Sequence, residues 1–110
     1  MINDRIDRTE STVKSTDSLP EEKKAEVLGL LGEVKSGVQK LSETHEEDAQ
    51  SIARFVEASA HEATRAQPKP GLLQTTLQGL KQSVEGFEAS HPETVEAVNR
   101  FATALANMGL

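Results

Sequence analysis

Leu73, Leu77, Leu80, Val84 and Phe87 recur at spacings of 4, 3, 4 and 3 residues. On an α-helix that rhythm puts five apolar side chains on one face; on a strand it scatters them over both. A second run, Val27, Leu31, Val34, Val38 and Leu41, repeats the same spacing. Two such stripes commit the chain to helices packed side by side with coiled-coil-like seams. The expected fold class is therefore all-α, an antiparallel bundle of four or five amphipathic helices.

Punctuation divides the chain into segments. The first covers about Asn3–Ser15, where Ile2, Ile6 and Val13 share a face and Asp4→Arg8 and Glu10→Lys14 form favourably ordered i,i+4 pairs. Its stripe is weak, so this helix depends on docking. The second opens at Ser18-Leu19-Pro20-Glu21, read as a capping box with Ser18 as cap, Glu21 at the third position and Pro20 in the first turn. Its end is open to two readings, because no Gly or Pro occurs between Gly37 and Pro68. One is a single helix from Pro20 to about Arg65, about 70 Å long at roughly 1.5 Å per residue. The other, slightly preferred, breaks at Ser42–Thr44, with Thr44-His45-Glu46-Glu47 as a second capping box. Ala49, Ile52, Val56, Ala60 and Ala63 then form the buried face of a new helix. Residues 66–71, with two prolines and a glycine, read as a loop. The fourth segment carries the opening stripe to Ser90. The fifth starts at Ser90-His91-Pro92-Glu93, buries Val95, Val98, Ala102 and Leu105 with Phe101 and Met108 beside them, and pairs Glu96 with Arg100. It stops with Gly109 left-handed and Leu110 folded back. The whole reads as one domain, 1–110, with residues 72–110 as its most secure helical hairpin.

Composition narrows the functions open to such a bundle. Cysteine is absent, which excludes disulfides, thiolate metal sites and cysteine nucleophiles. The net charge is −6, and neither half is basic: 12 acids face 8 bases in the first 55 residues, and 6 face 4 in the rest. Binding that neutralises many phosphates, or an anionic membrane surface, is disfavoured, so neither nucleic acid nor membrane is an expected partner. The N-terminus shows no apolar signal core and no run reaches transmembrane length, which makes the cytoplasm the expected location. Apolar residues make up only 35% of the chain, with three Phe and no Trp or Tyr. So thin a core is often completed by a second subunit, and a homodimer or higher homo-oligomer is expected, with another protein as the further candidate partner.

Phe87-Glu88-Ala89-Ser90-His91-Pro92, followed by Ala104-Leu105-Ala106-Asn107-Met108-Gly109-Leu110, resembles the short bacterial domain-of-unknown-function family 4404. The resemblance is strong over Leu72–Leu110 and weaker over Leu19–Leu41. The polar stretch Thr44–Arg65 departs from it. It implies a small helical bacterial protein and no activity.

No segment carries a catalytic constellation, and neither an enzymatic role nor a cofactor is expected. His45-Glu46-Glu47-Asp48 holds possible metal ligands one turn apart, with His61 or Glu62 as conceivable third donors. A solvated helix start explains the same residues, because acids suit that end of the macrodipole. His61-Glu62 lacks the second histidine of a zincin helix, since position 65 is Arg65; Glu62 and Arg65 read instead as a surface pair. His91 reads more simply as a turn-fixing side chain than as a catalytic one, no triad partners being apparent. Gly29, Gly32 and Gly37 could permit close helix approach, and no strand precedes them to make a phosphate loop. Leu80, Val84 and Phe87 could line an apolar ligand groove, although such stripes are usually core. The leading expectation is a non-enzymatic structural or protein-interaction module, self-associating through Leu73, Leu77, Leu80, Val84, Val98 and Leu105. The alternative is a small regulatory subunit binding a metal ion or apolar ligand through His45, His61 or His91.

Overall fold

Among the described residues the segments become five helices: α1 (Ile2–Ser15), α2 (Glu21–Ser42), α3 (Glu46–Ala63), α4 (Pro70–Ser83) and α5 (Pro92–Gly109). The structure is a computed structural model that describes residues 2–109, with side chains for 3–108. The expected fold-back of Leu110 onto Gly109 lies outside the described residues, as does the side chain of Ile2.

The α2 seam is buried along its length: Val27, Leu31, Val34, Val38 and Leu41 are fully enclosed. The chain then breaks. The amides of Thr44 and His45 both turn back to the Leu41 carbonyl, at 3.2 and 2.8 Å, and the Ala49 amide restarts the ladder on the His45 carbonyl at 2.9 Å. This break lets α3 fold back, and Ala49, Ile52, Val56, Ala60 and Ala63 form its buried face as the sequence predicts. The molecule measures 37 × 24 × 21 Å, which leaves no place for a 70 Å rod.

Helix starts differ from the capping boxes the sequence suggests. Pro20 occupies the cap position of α2, where its extended backbone leads into the helix without a side-chain bond. Ser18 instead donates to the Thr64 carbonyl at the end of α3, at 3.2 Å. His45, not Thr44, caps α3, again without a side-chain bond to the helix. Pro70 is already the first residue of α4, so the expected loop 66–71 ends before it. Proline lacks only an N–H that the first turn cannot use, and its fixed φ suits that position.

The α4 stripe outlasts its helix. Val84 is the C-cap of α4, and Gly86 takes a φ of +95°, a left-handed value that suits glycine. Helix α4 thus ends at Ser83 rather than Ser90. Val84 is buried and Phe87 half-buried within the turn. The amides of Phe87 and His91 close this turn on the Val84 and Phe87 carbonyls, at 3.2 and 2.8 Å. Spacing alone could not reveal the end, because tight turns of this kind keep roughly helical periodicity.

Helices α4 and α5 adjoin in sequence, but each packs more extensively elsewhere: α5 on α2, and α4 on α3. The two helices of the hairpin 72–110 pack on each other, and each is also docked along one of these other two helices. Two glycines set these pairings. A Cβ on Gly37 would meet Thr94 of α5, and one on Gly79 would meet the Phe55 ring of α3. At Gly29 and Gly32 such an atom would meet nothing, so only Gly37 of the three glycines in α2 mediates close approach. The core between the helices holds Phe101, Leu31, Leu41, Ile52, Leu80 and Leu105, all fully enclosed.

Helix α1 lies on α2 and α3. It inserts Ile6, Val13 and the buried Thr9, and it is held at its edges by charge. Arg5 Nη1 and Arg8 Nε reach the two oxygens of Glu57 on α3, at 2.6 and 3.2 Å. Lys35 on α2 contacts Asp7 at 2.7 Å and Glu10 at 4.0 Å. Arg8 thus pairs across helices with Glu57. The dependence on docking predicted for this helix is met by these ties.

Candidate functional site

Leu73, Leu77, Leu80, Val84, Val98 and Leu105 all lie in the interior of the single chain. Helices of the same chain cover the stripes that in the sequence suggest a partner copy. Leu72, 45% exposed, is the one large apolar side chain open to solvent among the described residues. A contact surface therefore has to be sought in the shape of the exterior.

A groove of about 650 Å³ runs between α2 and α5. Its floor is apolar: Leu30, Val95, Ala104 and Pro92 line it, the first three almost fully buried. Its rim is polar and carries Glu26, Glu88, Glu96, Asn99, Thr103 and Asn107, with a single base, Arg100. That base is already placed between two carboxylates, Glu33 at 3.7 Å and Glu96 at 3.9 Å. Lys23 approaches Glu26 at 3.4 Å from outside the groove. Glu88 accepts the Gly86 amide at 2.8 Å, which fixes it beside the turn. The groove is thus an apolar trough with an acidic margin, within the size range of about 300–1,000 Å³ usual for ligand clefts. Spacing in the sequence missed it, because most of the lining residues of α5, Val95 excepted, fall outside the apolar stripe of that helix.

A second arrangement forms where the α2–α3 and α4–α5 turns meet. His45, from the first turn, and His91, from the second, bring their ring centres to 6.2 Å, nearly perpendicular. Phe87 stands edge-on to both, at 5.2 and 6.0 Å. Thr44 Oγ1 lies 2.8 Å from Nδ1 of His45, and Ser90 Oγ lies 3.0 Å from Nδ1 of His91. The two turns therefore repeat one device, a hydroxyl residue before a histidine that precedes the first helical residue. This agrees with a turn-fixing part for His91. His61 lies elsewhere, in a smaller hollow of about 560 Å³ between α1 and α3 with Arg54 and Glu62. Glu62 forms the expected pair with Arg65, at 2.9 Å.

Among the described residues, no group of three or more His, Asp or Glu side chains converges to hold a metal ion. Nor is any helix there long and apolar enough to cross a membrane. The chain belongs to the family described as Domain of unknown function (DUF4404), whose model matches residues 2–110. The match includes Thr44–Arg65, the stretch where resemblance alone reads as a departure. No curated protein and no solved structure matches the chain.

Proposed function

We propose that this protein is a non-enzymatic interaction module whose α2–α5 groove receives a short, basic, amphipathic segment of another protein. The observation that carries this reading is the groove itself, an apolar floor bordered by Glu26, Glu88 and Glu96, with Arg100 already paired. An amphipathic helix laid in such a trough would bury its apolar face on Leu30, Val95 and Ala104, while its lysines or arginines met the acidic margin. Recognition of this kind combines apolar anchors with charge complementarity. The net charge of −6 favours encounter with basic segments over acidic ones.

The test uses two synthetic helical peptides with the same leucine spacing, one flanked by lysines and one by glutamates. The lysine peptide is expected to shift the backbone amide signals of Leu30, Val95 and Thr103, and to bind more weakly as salt rises. The double variant Glu26→Lys/Glu88→Lys is expected to lose at least tenfold in affinity for it, about 1.4 kcal/mol. Shifts spread over the α1–α3 face, or equal binding of both peptides, would count against the reading.

A further inference from the structure

We infer that His45 and His91 form a two-histidine site for a divalent transition-metal ion, with Nε2 of each ring as the ligand atom. The argument starts from separation. Two imidazoles bound to one zinc ion at about 2.0–2.1 Å per nitrogen have ring centres about 5–6 Å apart. The rings of His45 and His91 stand at 6.2 Å, close to the upper end of that range. The two residues are 46 positions apart in the chain, and the meeting of the two turns is what brings them together.

Orientation comes next. A metal-binding histidine usually holds its other ring nitrogen in a hydrogen bond, which fixes the tautomer and the ring plane. Here both Nδ1 atoms are so held, by Thr44 and Ser90. With the proton on Nδ1, each ring donates to its hydroxyl and each Nε2 carries the free lone pair. Phe87 packs edge-on against both rings, which restricts their swing. His45 is exposed and His91 half-exposed, so a hydrated ion can reach them from solvent.

Charge supports a cation at this end of the bundle. Both histidines precede helix N-termini, whose dipoles oppose a positive ion. The first turns of α3 and α5 offset this with Glu46, Glu47, Asp48 and Glu93. No third protein ligand converges there among the described residues, so water completes the coordination shell. The site is therefore open and exchangeable, and imidazole ligation favours Cu²⁺, Ni²⁺ and Zn²⁺ over Mg²⁺ or Ca²⁺. It is independent of the α2–α5 groove and of what the groove binds.

The chain contains three histidines and no cysteine, which makes the test direct. Zn²⁺ alone is titrated into the full chain while the imidazole C–H signals are followed by NMR. His45 and His91 are expected to shift together as one equivalent is added, with His61 unmoved, and Mg²⁺ is expected to shift none of them. Affinity measured by calorimetry should fall at least tenfold in His45→Gln and in His91→Gln and stay unchanged in His61→Gln. Should either glutamine variant fail to fold, Thr44→Val and Ser90→Ala keep both imidazoles and remove only the orienting hydroxyls. Each is expected to weaken binding several-fold while the same two signals still respond. No shift at millimolar Zn²⁺, or a response of His61 equal to that of the pair, would overturn the site.

Discussion

Ser59 Oγ is the one buried side-chain polar atom without a hydrogen-bond partner among the described residues. A hydroxyl in that state carries its desolvation cost uncompensated, so Ser59→Ala is expected to raise stability by about 1 kcal/mol, read as a higher urea midpoint at unchanged slope. Glycines separate in the same way. Gly79→Ala drives a methyl into the Phe55 ring and is expected to destabilise by about 1–3 kcal/mol, as overpacking does. Gly29→Ala meets open space and is expected to stabilise by about 1 kcal/mol through helix propensity alone. Equal effects of the two alanines would refute the close approach of α3 and α4. Sequence could single out His45 and His91 one at a time, but not their meeting, because no spacing rule relates two turns 46 residues apart. The sequence also offered nothing to distinguish Gly37 from Gly29 and Gly32, since the difference lies in which neighbour faces each one.

At the scale of elements, the helices were legible because apolar spacing reports the buried face directly, whereas the break after Ser42 stayed one of two readings because no Gly or Pro marks it. Their ends were legible less well. Ser18, Thr44 and Ser90 have the right chemistry to cap, yet Ser18 bonds to the end of α3 and the other two bond to histidine rings. A tertiary partner holds the Ser18 hydroxyl, and the side chain of the next residue holds those of Thr44 and Ser90. Helix α1 is the element most dependent on polar ties, and one of them titrates. The short hydrogen bond from Lys35 holds the Asp7 carboxyl below its ordinary range, and the same bond raises Lys35. The Asp7 contribution is thus present above the ordinary carboxylate value and is lost as pH falls through the lowered one. That of Lys35 is present below the ordinary lysine value and is lost as pH rises through the raised one. Across the neutral range the α1–α2 tie is intact. In an NMR titration, Lys35→Met is expected to return Asp7 toward the ordinary value; an unchanged Asp7 would remove the bond from the account of α1.

For the whole molecule, the accessible surface of 6146 Å² matches the roughly 5,900 Å² of a folded monomer of this mass, and the radius of gyration of 12.8 Å matches the roughly 13 Å of a compact chain of this length. One chain thus encloses its own stripes, including all six side chains first read as a contact surface. Sedimentation at tens of micromolar is expected to give a single 11.9 kDa species; a stable dimer there would assign the α2–α5 groove to a second copy rather than to a basic partner. The pairing of α2 with α5 also bears on how the protein is made. During synthesis the Val27–Leu41 seam leaves the ribosome early, while the helix that gives it most of its cover follows last of the five. Until Phe101 and Leu105 emerge, α2 can find only part of its shelter, on α1 and α3. A nascent chain stalled near Gly86 therefore presents an uncovered apolar seam to chaperones, and cooperative folding has to wait for the last helix.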